Sequence, residues 1–225
     1  MWPTYQDTIT QRITYRHLYS SKLVLSRHPK KVLDVGCGSG ALLSCLPSQV
    51  FGVGLEYTEA QAQISVSNGC KNIVIATAFK MPFAESTFDG VCILEVLEHI
   101  DIKHNEEVLK ESKYILANNG KIIISVPFDS WLSKIMDPAW ILGHRHYSTA
   151  DLRRQITRTG FFVQEMRVKG GWWEMLAMIN LYVSKWVFGK DMLYRAFFER
   201  KRQCEYDVNE TGFATLFAVA EKRGI

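Results

Sequence analysis

The sequence predicts an α/β fold: a mostly parallel sheet with helices on both faces and a helical cap inserted between the last two strands. Three observations predict it. Apolar runs of strand length, such as KVLDV (31–35), FGVGLE (51–56) and FDGVCIL (88–94), lack the polar alternation of a half-exposed strand. Helical patterns separate these runs, as the crossovers of a parallel sheet require. A glycine-rich turn follows directly on the first run.

The elements follow in order. Between Tyr5 and His28, residues Ile9, Ile13, Leu18, Leu23 and Leu25 recur close to one helical face, and Pro29 stops the pattern. This is a helical leader within residues 1–30. The core, 31–168, opens with KVLDV and a helix from about Gly40. FGVGLE then leads to a helix from Thr58. NIVIAT (72–77) passes through the loop AFKMPFAEST to FDGVCIL, and a helix runs on to Leu116. GKIIISVPF (120–128) is the next strand, and FFVQEMRV (161–168) and TGFATLFAVAEK (211–222) close the sheet. The cap occupies 169–206, and 207–225 carries the last strand. No repeat, low-complexity tract or linker marks a second domain.

At 225 residues, with 47% hydrophobic and 22% charged residues, the chain suits one well-buried soluble domain. A formal charge of +4 is too mild to argue for nucleic acid. Five cysteines without a C-x-x-C pair suit free thiols in a reducing compartment. The first residues show neither a signal peptide nor a spanning helix, so a cytoplasmic protein is expected.

VLDVGCGSGALL (32–43) is the stretch that carries chemistry. Gly36, Gly38 and Gly40 alternate after the strand, which brings backbone N–H groups and the positive end of a helix against a ligand. With Ala41 the stretch fits the dinucleotide pattern G-x-G-x-x-A, and Glu56 its ribose-binding acid. Asp34 argues for another ligand. A carboxylate there suits an ammonium group, or holds the loop, and repels a pyrophosphate.

Together, VLDVGCGSG, VGLE, MPFAESTFDGV and LEVLEHI resemble, in order and spacing, the class I S-adenosylmethionine-dependent methyltransferases. The resemblance covers about residues 28–165. EVLEH and HRHYSTADLRRQITRTGFF look most like the small-molecule branch that includes the ubiquinone-pathway O-methyltransferases. It implies a Rossmann-like sheet of seven strands with the last antiparallel, S-adenosylmethionine as cofactor and S-adenosylhomocysteine as product. It also implies residue roles. Gly36, Cys37, Gly38 and Gly40 line the methionine part, Glu56 binds ribose, and Tyr57 packs nearby. Ala78 and Phe79 contact the adenine edge, while Leu94 and Glu95 lie beneath the methionine. Thr77 stands where the family usually has an acid for the adenine amino group.

On the acceptor side, LEVLEHI offers Glu95, Glu98 and His99, and GHRHYS offers His144, His146 and Tyr147. His99 is the first candidate base, with Glu95 beside it, because imidazole titrates near neutrality. His144, His146, Tyr147, Trp172 and Trp173 are candidates for holding a small, apolar or lipid-linked acceptor methylated at oxygen. No metal is assigned. E-x-x-E-H with a later histidine does resemble the metal site of small-RNA 3′-end methyltransferases, and Glu95, Glu98, His99 with His144 or His146 could supply it. A non-catalytic methyltransferase-like binding subunit is the other alternative.

WWEMLAMINLYVSKWVF (172–188) has 13 apolar or aromatic residues in 17, and a basic, aromatic segment follows. Two helices capping an apolar acceptor pocket are expected, with a peripheral membrane contact through 172–203 as a further reading. The expected assembly is a monomer or a homodimer.

Overall fold

The computed structural model describes residues 13–136, 144–190, 192–208 and 212–223. The start of the expected leader, with Tyr5 and Ile9, lies outside the described residues. The leader's described helix is α1 (Tyr15–Leu25), which opens with the Thr14 N–H donating to His17 Nδ1 at 3.1 Å.

Seven strands make one sheet: β1 (Lys31–Val35), β2 (Phe51–Glu56), β3 (Ile73–Ile75), β4 (Phe88–Leu94), β5 (Leu116–Pro127), β6 (Phe162–Lys169) and β7 (Thr215–Glu221). Their order is β3-β2-β1-β4-β5-β7-β6. The first five pair in parallel, and β7 runs antiparallel between β5 and β6. Strand order reverses between β1 and β4, and a crevice at the carboxyl ends of strands forms at such a point.

Both faces are covered, which is why the central strands lack polar alternation. On one face Leu33, Val35, Val91, Ile93, Ile122 and Ile124 pack under α3 (Ile102–Ile115) and α5 (Thr149–Arg158) through Val108, Leu109, Leu152 and Ile156. Each such side chain contributes about 1.5–3 kcal/mol on burial. On the other face Val32, Cys92, Ile123 and Val219 pack with Val24 of α1. Helix α1 is therefore part of the core.

The remaining helices are α2 (Glu59–Ser67), capped by Thr58, the short α4 (Trp131–Met136), and the cap pair α6 (Trp172–Phe188) and α7 (Arg195–Asp207). The cap stands between the last two strands, as expected. None of the described helices is long and apolar enough to cross a membrane.

Three elements differ from expectation. The helix from about Gly40 is reduced to a 3₁₀ turn, Leu43–Cys45. The Ser44 hydroxyl and Cys45 thiol turn back onto the carbonyls of Gly40 and Ala41, and Pro47 stops the turn. β3 keeps only the middle of NIVIAT. Leu116 opens β5 instead of closing the preceding helix.

Candidate functional site: the carboxyl edge of β1, β2 and β4

β1, β2 and β4 end side by side, and this register sets Asp34, Glu56 and Glu95 along one edge of the sheet. Asp34 pairs in register with Gly54 and Cys92, so its side chain sits among central strands and is buried. Burial, and then the charge of Glu56, push its carboxyl up to about 8. Cys37 is likewise buried, its Sγ 3.6 Å from Ser65 Oγ, and burial pushes its thiol up to about 12. It is a packing residue with little thiolate character.

The glycine turn is built differently from a phosphate cradle. Gly36, Gly38 and Gly40 all have positive φ, as expected. Their N–H groups, however, point inward. Gly36 and Cys37 donate to Leu55 O at 2.8 and 3.2 Å, and Gly40 donates to Cys37 O at 2.8 Å. Gly38 donates to Glu56 Oε2 at 2.9 Å, and Glu56 Oε1 takes the N–H of Tyr57 at 2.8 Å. With these four donors satisfied and no α-helix behind the turn, the expected set of N–H groups facing a ligand is not formed. The site instead offers the Glu56 carboxylate and bare backbone, with the buried Asp34 carboxyl behind them, which suits hydroxyl and ammonium groups better than phosphate.

Of the other candidates on this side, Leu94 is buried, Ala78 packs against the core and Tyr57 is exposed. Thr77 is half-buried, and its carbonyl accepts from Lys80 N at 3.3 Å. Phe79 is exposed enough to meet a ring, and it already stacks on His104 with centroids 5.1 Å apart.

Beyond β4 the chain turns sharply at Glu95, whose φ is +55°. Ser125 Oγ donates to Glu95 Oε1 at 2.8 Å, and Arg16 Nη1 of α1 lies 3.2 Å from Oε2. Glu98 is buried, His99 is exposed, and their ligand atoms lie within 4.8 Å of each other and of His144. His144 Nε2 is 4.0 Å from Glu98 Oε1, and the rings of His99 and His144 lie 4.6 Å apart.

A clamp from the later loop brings these groups together. Arg145 donates to the carbonyls of Leu97 and Ile100, and Tyr147 Oη donates to Leu97 O at 2.9 Å while accepting from Asn105. Tyr147 is thus a buried brace. His146 turns toward Phe128 O and Ser133 Oγ, at 3.1 and 3.3 Å.

The five acceptor candidates do not share one cleft. His144, His146 and Tyr147 line a cleft of about 410 Å³ with Asp129, Lys134 and Asp151. Trp172 and Trp173 line another, of about 450 Å³, with Lys201, Cys204 and Phe213.

Residues 33–124 match the methyltransferase domain family. An O-methyltransferase, rstn1, of Aspergillus nomiae is 32% identical over 183 residues, covering 72% of this chain and 78% of the relative. The chain belongs to the class I S-adenosylmethionine-dependent methyltransferases. Three other curated relatives are covered over only 40, 48 and 33% of their lengths, so the chain spans less than half of each.

Solved methyltransferases share the fold at lower identity. One is the Haloferax volcanii methyltransferase solved with the activator Trm112, at TM-score 0.65 and 20% identity, covering 94% of this chain and 91% of that one. Another is the geranyl diphosphate C-methyltransferase of Streptomyces coelicolor, at TM-score 0.65 and 12% identity, covering 92% and 78%.

S-Adenosylmethionine fits the residues of this methyltransferase. A Cβ added at Gly38 would meet no protein atom within 4 Å, so the turn leaves open space beside the residue that the Glu56 carboxylate holds. The Glu56 carboxylate has the acceptor oxygens that a pair of ribose hydroxyls needs, and a cation close to Asp34 would favour its ionised form. Sequence reasoning missed Arg16, Arg145 and Asn105. Arg16 lies in the leader, far from any motif. Arg145 was passed over between two histidines, and Asn105 had no signal.

Proposed function

We propose that the methyltransferase moves a methyl group to an oxygen of a small acceptor of apolar character, with His99 as the base. The observation that carries this is the Glu98–His99–His144 cluster, held at the end of β4 by Arg145 and Tyr147. S-Adenosylmethionine, when bound, supplies an electrophilic methyl on a sulfonium, so the protein's tasks are alignment and proton removal.

His99 is exposed, which lets its ring meet an acceptor hydroxyl. The buried Glu98 lies within 4.8 Å of His99 and of His144. His144, stacked on His99, fixes the ring plane. Glu95, engaged by Ser125 and Arg16, is a positioning residue in this scheme. The relative from A. nomiae supports oxygen as the acceptor atom.

The test is transfer from deuterium-labelled S-adenosylmethionine to matched phenols, anilines and thiols. Oxygen products are expected, with His99→Gln lowering kcat by about 10²–10³ while leaving S-adenosylhomocysteine affinity unchanged. Products on nitrogen or carbon only would overturn the oxygen reading.

A second reading is favoured by the same cluster: Glu98, His99 and His144 as ligands of a divalent cation that holds the acceptor oxygen. Glu95 stands outside that set. Loss of turnover on chelation, restored by Mn²⁺ or Mg²⁺, would select it over the base.

A further inference from the structure

α6 is built inside out. Trp172, Leu176, Ile179, Val183 and Trp186 recur at steps of four and three residues, which places them on one helix face. That face is turned to solvent: Leu176, the most covered of the five, is 41% exposed, and Trp186 is 59% exposed. The opposite side carries the polar residues, with Glu174 and Ser184 buried.

The helix cannot roll to hide its apolar face. Arg202 of α7 grips Glu174 through both Nε and Nη2, at 2.8 and 2.7 Å. Ser184 Oγ donates to Asn180 Oδ1, and both oxygens take the N–H of Leu193 at 3.2 Å. The Glu205 carboxylate caps the helix start by accepting from Gly171, Trp173 and Glu174 N–H. Rotation would break charge-assisted bonds at the helix start and neutral ones toward its end. An exposed apolar stripe of this length on a locked helix marks an interaction surface.

The charges of the cap say what covers it. Among its described acids, Glu174 and Glu199 pair with Arg202, Glu205 caps α6, and Asp207 pairs with Lys22 of the leader. Lys190, Arg200 and Lys201 remain exposed, with Lys201 Nζ 5.1 Å from the Trp173 ring. Tyr194 and Phe197, 81 and 51% exposed, extend the apolar surface toward them. Indoles near both ends of a stripe about 21 Å long, with cations beside it, match an interface of headgroups over acyl chains. Two copies meeting through this face would set like charges together.

We propose that α6 and the start of α7 form a docking face for an anionic lipid surface, with α6 lying in the plane of the interface. The inference is independent of the base, since none of its stripe or cation residues belongs to the Glu98–His99–His144 cluster.

The experiment is co-sedimentation of the full chain with phosphatidylcholine vesicles, with and without phosphatidylglycerol, beside sedimentation velocity without lipid. Binding is expected only with phosphatidylglycerol, falling as salt rises. Ile179→Gln with Trp186→Gln should weaken it about tenfold or more, as should Arg200→Gln with Lys201→Gln. Both variants should keep their affinity for S-adenosylhomocysteine, which shows that they are folded. Failure to bind phosphatidylglycerol vesicles, or binding indifferent to both variants, overturns the proposal. So does a dimer that the Ile179/Trp186 variant dissociates and vesicles leave untouched, because the face would then belong to a second copy.

Discussion

Arg16 Nη1 lies 3.2 Å from Glu95 Oε2, tying the leader helix to the first residue after β4. Glu95 is held in a left-handed conformation that a non-glycine residue adopts at a cost of about 1–2 kcal/mol, and Ser125 grips its other oxygen. The turn that launches Glu98 and His99 therefore depends on a side chain some 80 positions earlier in the sequence. A helix that packs on the core through Val24 also reaches the turn that leads to Glu98 and His99.

Arg16→Ala leaves Glu95 without its cation. The pair is partly exposed, so the expected loss is modest, about 1–2 kcal/mol in urea unfolding. Glu95→Gln should cost less because the Ser125 bond survives. A double-mutant cycle should give a coupling of about 1 kcal/mol. Strict additivity of the two substitutions would mean that the contact carries no energy.

Asp34 sets a pH dependence. Unfolded, its carboxyl titrates at about 3.8; folded, burial and Glu56 push it up to about 8. Between those values the folded protein holds a proton that the unfolded chain has released, so stability falls as pH rises from about 4 toward 8. Asp34→Asn should remove that slope. An arriving ammonium group favours the ionised form, so S-adenosylhomocysteine binding at pH 7 should release a proton from Asp34. Calorimetry in two buffers of different ionisation enthalpy measures it. Uptake, or no exchange, would place the ammonium elsewhere.

Apolar runs with helices between them gave away the sheet because burial on both faces leaves no polar alternation to read. The short motifs singled out Asp34, Glu56 and the Glu98–His99 pair as candidates for a different reason, that each motif is contiguous in the chain. What escaped is non-local. The Arg145 and Tyr147 clamp joins segments more than 40 residues apart, and periodicity carries no trace of it. The stunted helix after Gly40 was misjudged because its glycines promised a helix start, while Pro47 and the Ser44 and Cys45 side chains ended it. α6 showed its apolar content in sequence, but which face turned outward depended on Arg202 and Glu205.

The glycines of the turn make separable predictions. At Gly36, φ is +70° and an added Cβ would lie 2.5 Å from Val96 Cγ2, so Gly36→Ala should destabilise the fold by about 2–4 kcal/mol. Val96→Ala in the same chain should recover only the steric part. At Gly38 the added methyl meets nothing in the protein, so Gly38→Ala should cost about 1–2 kcal/mol from φ alone. Its affinity for S-adenosylhomocysteine should fall more than its stability does. Equal losses in both measurements would mean that the open space beside Gly38 is not where the cofactor lies.

Glu56 holds Gly38 N–H with one oxygen and Tyr57 N–H with the other, and on the proposed reading both oxygens face a ribose. Glu56→Gln keeps an acceptor for Gly38 but replaces one carboxylate oxygen by a donor, so one ribose hydroxyl loses its partner. Charge-assisted bonds contribute about 1.5–3 kcal/mol each, so S-adenosylhomocysteine affinity should drop about tenfold to a hundredfold in Glu56→Gln and further in Glu56→Ala. The inward-turned N–H groups predict the complementary result, that NAD binds neither variant nor the unaltered chain. Titration of the three proteins with both ligands checks the pair of statements together. Tight NAD binding by the unaltered chain would mean that the turn reopens to offer its N–H groups to a pyrophosphate, against the inward bonds of Gly36, Cys37 and Gly40.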